Sequence, residues 1–93
     1  MSNENVVAFN DLNPPAPKLV LLIPTLHTEN AAGVARNSAT ITADLFLAAE
    51  QIASERGLNG YRTVFNTGAD AGQSVFHAHL HLLGGRPMAW PPG

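Results

Sequence analysis

The chain contains no cysteine, so neither a disulfide framework nor a thiolate metal site is open to it, and its stability must come from its core or from a partner subunit. Basic residues are scarce, with five Lys and Arg against seven Asp and Glu. The resulting net charge of −2 provides no field for a polyanion, which argues against binding a nucleic acid polymer through phosphate neutralisation. Any phosphate must therefore be held locally. Long apolar runs are missing too: residues 19–23 are far short of a membrane span, and the polar opening Met1-Ser-Asn-Glu-Asn is no signal peptide. A soluble, cytoplasmic protein with no membrane partner is expected. What is present, 45% hydrophobic and 13% charged residues, is an ordinary globular balance. A length of 93 residues bounds the chain at one domain, residues 1–93, with a core small enough that oligomerisation is expected to matter.

Punctuation divides the chain into short elements. Residues 6–9 form a strand-like run closed by Asn10-Asp11-Leu12-Asn-Pro-Pro-Ala-Pro17, where the prolines remove backbone donors and forbid both helix and central strand. Residues 18–23 are continuously apolar after Lys18 and rich in branched side chains, which suits a strand covered on both faces or lying at a subunit junction, and Pro24 ends it. Ile41, Leu45, Ala48, Ala49 and Ile52 then recur on one helical face. A helix of about four to five turns is predicted, capped by Ser38 or Asn37 and ended at Gly57 or Asn59. Residues 61–65 alternate as a strand, and Gly68 and Gly72 bracket a turn.

The informative segment is Val75-Phe-His77-Ala-His79-Leu-His81-Leu-Leu83, where histidine and apolar residues alternate. On a strand, His77, His79 and His81 share one face while Phe76, Ala78, Leu80 and Leu82 share the other, so that one face packs and the other is free for chemistry. Three of the four histidines in the chain stand here, which is hard to attribute to chance choice of a polar residue. Zinc is one use for such a pattern. Alternate strand residues lie about 6.5 Å apart and the outer pair about 13 Å apart, so neighbouring histidines can meet on one ion but all three are strained, and the third ligand would have to be His27. The other use is nucleophilic or acid–base catalysis by imidazole. The preceding loop favours it: Asn66-Thr-Gly68-Ala-Asp-Ala-Gly72-Gln73-Ser74 combines glycines that let backbone amides turn toward an anion with the donors Asn66, Gln73 and Ser74. Alone, such a loop is an ordinary connection between strands. Joined to the imidazoles, it pairs an anion site with a nucleophile.

These residues resemble the signature of the histidine triad (HIT) family, His-x-His-x-His flanked by apolar residues on a strand, and more closely its Hint branch of purine nucleoside phosphoramidases. The resemblance is carried by Gly72-Gln73-Ser74-Val75-Phe76 before the triad, Leu83-Gly84-Gly85-Arg86 after it and the terminus Trp90-Pro-Pro-Gly93, together with Phe9-Asn-Asp11-Leu12, Ile23-Pro24, His27 and Gly60-Tyr-Arg-Thr-Val-Phe-Asn66. It implies an α+β domain with an antiparallel sheet, one main helix, the triad on a central strand, and a homodimer that extends the sheet. It also implies hydrolysis of a nucleoside phosphoramidate or related α-phosphate bond through a nucleotidyl-His79 intermediate, with no cofactor and no metal. His77 and His81 would flank the nucleophile, Ser74 would assist the leaving amine, and Asn66, Gly72, Gln73, Ser74 and Val75 would grip the phosphate. Asp11 would bind the ribose, and Phe9 with Leu12 would line the pocket for the purine. His27 resembles a family histidine that supports the triad, the alternative being a surface residue after a strand. Trp90 would lie near the partner's site, the alternative being an aromatic that anchors the tail.

Three departures stand out: Ala71 where the branch usually has a second glycine, Phe76 in place of the commoner tyrosine, and Ala89 where some members carry a polar residue. Family members also usually begin with a further helix and strands that widen the sheet and cover the base, whereas here the opening residues lead directly into Val6. A shortened member is expected, with an intact phosphate site, a weaker hold on the nucleobase and a greater dependence on the dimer. Two other functions fit the same residues. One is a catalytically weak, nucleotide-binding regulatory dimer, and the other is a metal-binding module built on His77, His79 and His27.

Overall fold

The computed structural model describes residues 4–10 and 18–92, so Asp11 and Leu12 lie outside the described residues. The chain runs through β1 (Val6–Asn10), β2 (Lys18–Pro24), α1 (Ala31–Asn37), α2 (Ala39–Glu55), β3 (Tyr61–Val64) and β4 (Leu80–Gly84). Among the described residues the strands form an antiparallel sheet in the order β1-β2-β4-β3, an α+β arrangement in which β4 is a central strand. None of the described helices is long and apolar enough to cross a membrane.

Alternation decides which face packs. Val6, Val20, Leu22, Leu80 and Leu82 are buried on one face of the sheet, and α2 lies across them through Leu45, Ala48, Ala49 and Ile52. The small alanines at the contact let the helix backbone stand close to the sheet. On the opposite face the register sets Phe9 beside Leu21, Leu21 beside His81 and His81 beside Val64, a single row across all four strands. That face is only half covered: Leu21 and Ile23 are half-buried, and Phe9 is 47% exposed. Leu21 and Ile23 therefore do not have full cover on this side from the described residues. Nor can β2 be the edge at which two sheets join, because β1 and β4 already flank it; among the described residues the free edges are β1 and β3.

Local signals set the helix ends. Ser38 Oγ accepts from the Ile41 amide at 3.1 Å, which makes Ser38 the N-cap of α2, and Gly57 follows the helix at φ 65°. The amides of Gly57 and Leu58 return to the carbonyls of Ser54 and Ala53, the paired bonds that close a helix through a left-handed glycine. A second helix, α1, was not expected from the pattern. It spans seven residues, too few for an apolar face to repeat, and it depends on Asn30, whose side chain accepts from the Gly33 amide at 2.9 Å.

Leu58, turned inward by this cap, lies over the end of β4. A Cβ built on Gly84 would stand 2.7 Å from Leu58 Cδ1 and 3.2 Å from the Gly60 carbonyl oxygen. Gly84→Ala is therefore expected to lower stability by about 1–3 kcal/mol through crowding, read as a reduced midpoint in urea unfolding with an unchanged slope.

Candidate active site

The strand that carries the triad is shorter than its pattern. β4 begins at Leu80, so His81 lies in the ladder while His77 and His79 precede it. The pairing stops there because β2 contributes no partner beyond Leu22 opposite Leu80, and the approaching chain bonds instead to the turn after β2, with the Ala78 amide donating to the Thr28 carbonyl at 2.7 Å. The alternation nevertheless survives: Ala78, Leu80 and Leu82 are buried, and His77, His79 and His81 are half-buried between them. The rings of His79 and His81 stand 4.9 Å apart between centroids, tilted by 45°.

Hydrogen bonding defines the tautomer of the middle ring. His79 Nδ1 lies 2.8 Å from the carbonyl oxygen of His77. A carbonyl can only accept, so Nδ1 carries the proton and the neutral ring keeps its lone pair on Nε2. By the same reasoning His77 donates from Nε2 to the Pro24 carbonyl at 3.0 Å, which leaves its Nδ1 to accept. His27 supplies that donor, its Nδ1 lying 3.1 Å from His77 Nδ1 with the two rings edge to face at 84°. The structure thus brings His27, though exposed, into contact with the triad through His77 rather than leaving it on an unrelated surface.

The loop ahead of the triad is built on two left-handed glycines. Gly68 has φ 85° and Gly72 φ 88°, with a single turn of 3₁₀ helix, Ala69–Ala71, between them. Inside this turn the amides of Ala71 and Gln73 both donate to the Gly68 carbonyl and that of Gly72 to the Ala69 carbonyl. Gly72 thus shapes the loop with an amide already spent. Among the described residues the amides of Ser74 and Val75, the Ser74 hydroxyl and the Asn66 side chain make no hydrogen bond, so these are the donors left to meet an anion. Gln73, expected among the anion donors, points its side chain inward and is 6% exposed. Its amide is taken up by Gly68, Glu29 and Val75, partners that sequence pattern alone does not indicate.

Phe9 sits on the same sheet face as His81, two strands away, which by strand spacing is about 10 Å between backbones. Leu12 and Asp11 lie outside the described residues. Trp90 is 82% exposed and does not anchor the tail against its own chain. A separate cleft of about 690 Å³ lies at the far end of β4, lined by residues that include Arg56, Arg62 and Arg86 but none of the triad. Among the described residues no group of three His, Cys, Asp or Glu is arranged to hold a metal ion.

Against known proteins, the family model described as HIT domain matches residues 1–88. A 14 kDa zinc-binding protein of Zea mays is 44% identical over 95 residues, spanning 98% of this chain and 73% of its own. The adenylylsulfatase HINT1 of Arabidopsis thaliana is 39% identical over 98% of this chain and 64% of its own. Among solved structures, a HIT family hydrolase from Legionella pneumophila Philadelphia 1 superposes with a TM-score of 0.93 at 42% identity, covering 100% of this chain and 85% of that one.

The turn that supports the site contains a buried hydroxyl, Thr28 Oγ1, without a hydrogen-bond partner among the described residues. Thr28→Val keeps the shape and removes an unsatisfied group, so it is expected to leave stability unchanged or raise it slightly, by up to about 1 kcal/mol in chemical denaturation. A loss of about 2 kcal/mol or more would mean that the hydroxyl has a partner after all.

Proposed function

The chain belongs to the HIT family, and on that footing we propose that it hydrolyses a purine nucleotide at its α-phosphorus, breaking a P–N bond to an amine or a related α-phosphate bond, through a covalent intermediate on His79. The observation that carries this reading is the hydrogen bond from His79 Nδ1 to the His77 carbonyl. It leaves Nε2 as the nitrogen of the neutral imidazole with a free lone pair, the atom that can attack as a nucleophile. In the first step the Nε2 lone pair forms a bond to phosphorus, the P–N bond breaks, and the departing nitrogen takes a solvent proton through the adjacent Ser74 hydroxyl, a proton that the attacking water gives back in the second step. In the second step water attacks the same phosphorus, releasing the nucleoside monophosphate and restoring His79. Negative charge on the phosphoryl oxygens is met by the uncommitted donors of Ser74, Val75 and Asn66. His77 and His81 flank the nucleophile, the Pro24 carbonyl fixes the tautomer of His77, and His27 donates to the nitrogen that this leaves free to accept. The purine would lie against the exposed ring of Phe9, with Asp11 and Leu12 following it in sequence as ribose and base contacts.

The name of the Arabidopsis relative, adenylylsulfatase, supports a nucleotide substrate split at its phosphate. The zinc named for the maize relative does not enter this reading, because the described residues offer no set of three ligands, and no step is routed through a metal. The reading includes a homodimer that continues the sheet through β3, a free edge with Tyr61 43% and Val64 37% exposed. Beside it Phe46, 45% exposed, meets Phe65 edge to face at 6.3 Å, so the edge is flanked by apolar surface that a lone chain leaves wet. Trp90, exposed on its own chain, would then lie near the partner's site.

His79→Ala is expected to abolish hydrolysis of an adenosine phosphoramidate, by roughly three orders of magnitude or more, while the circular dichroism spectrum is retained. Equal turnover by the two proteins would sink the covalent mechanism; nucleotide binding by calorimetry without turnover in the wild type would favour the regulatory dimer instead. For the dimer, the unfolding midpoint is expected to rise with protein concentration, and Val64→Asp to remove that dependence; a midpoint independent of concentration in the wild type would count against it.

A further inference from the structure

We propose that Gln73 is a positioning residue, whose buried amide holds the anion-binding loop in register with the imidazoles; this rests on the hydrolase reading above. A primary amide has two N–H donors and one oxygen. Both donors of Gln73 are engaged, Nε2 donating to the Glu29 carbonyl at 2.7 Å and to the Val75 carbonyl at 3.1 Å. Its Oε1 accepts from the Gly68 amide at 2.8 Å, while its own backbone amide donates to the Gly68 carbonyl at 3.1 Å. No N–H remains for a phosphate, and the remaining lone pair of Oε1 would repel one. The side chain therefore does not contact the anion; it ties together the segments that do.

The three anchors show what is being held. Gly68 opens the loop, Val75 closes it, and Glu29 follows directly on Thr28, which receives the Ala78 amide, and His27, which meets His77. Ser74 and the Val75 amide, the free donors, lie between the anchors. One side chain thus sets the distance between these donors and the turn that orients the triad. Its burial at 6% exposure makes each bond consequential, because an amide group left without a partner there has no water to replace it. Few other residues fit: glutamate keeps the acceptor but loses both donors, and methionine keeps the shape and loses all three bonds.

The test compares wild type with Gln73→Met and Gln73→Glu, reading steady-state kinetics on an adenosine phosphoramidate together with amide hydrogen exchange at Gly68 and, as a core reference, Leu82. In Gln73→Met the Leu82 amide should keep its protection and the Gly68 amide should lose it, while kcat per folded molecule falls roughly 10- to 100-fold, as expected when reacting groups are misplaced by about an ångström. Gln73→Glu, which retains the acceptor for Gly68, should keep more of that protection than Gln73→Met and yet lose kcat to a similar degree. A purely structural role would lower the melting temperature and the folded fraction but leave kcat and KM of the folded molecules at wild-type values, and that result overturns the proposal. Unchanged Gly68 exchange in the Met variant overturns it as well, and if that variant does not fold, the Glu variant is held to the same two readouts. A wild type without turnover would overturn the hydrolase reading; the strut would then stand or fall on exchange alone.

Discussion

The hydrogen bond from the Ala78 amide to the Thr28 carbonyl, 2.7 Å long, is the point on which the geometry of the site depends. β4 acquires its ladder only at Leu80, so the chain carrying His77 and His79 reaches the sheet unpaired with any strand among the described residues. Its order comes from the turn after β2, through this bond, through Gln73 on the Glu29 carbonyl, and through His77 on Pro24 and His27. Net of water, each such bond contributes on the order of 1 kcal/mol. Together they form a sizeable part of what a small domain has to spare, so the segment carrying His77 and His79 is held because it is bonded to a neighbour rather than because it is a strand.

That neighbour is itself held by the sheet and by α1. Pro24 is buried at the end of β2, and Asn30 caps the helix that begins at Ala31, so the turn between them is fixed at both ends. β2 pairs directly with β4, and both the glycine-bracketed loop and the triad segment are bonded to the turn that leaves it. The row from Phe9 through Leu21 to His81 then relates the exposed aromatic to the imidazoles by strand spacing alone. Substrate geometry on this reading is written into the hydrogen-bond ladder.

Much of this is legible in the sequence. The alternation of histidine with Ala78, Leu80 and Leu82 states which side is core, and burial parity persists even where the ladder does not. Ser38 as a cap, Gly57 as a stop and the face of Ile41, Leu45, Ala48, Ala49 and Ile52 are local signals that tertiary context did not override. What could not be read were relations across long separations. Gln73 has the residue type of an anion donor, and only a carbonyl 44 residues away reveals that it points inward. The apolar character of β2 suggested cover on both faces, but whether the second face meets water, a nucleotide or a partner is a property of its neighbours. Seven residues of α1 with a glycine inside them carry too little periodicity to register.

The alanines of α2 also bear on how the sequence is free to drift. Ala48 and Ala49 are buried in the core that α2 shares with the sheet, so larger side chains at these positions must displace the helix from it. Leu47, Glu50 and Gln51 face outward and carry no such debt. Variation along this helix is therefore one-sided: the outer face can be rewritten for new neighbours while the inner face stays small, and new partners can be acquired without disturbing the sheet face on which the histidines stand.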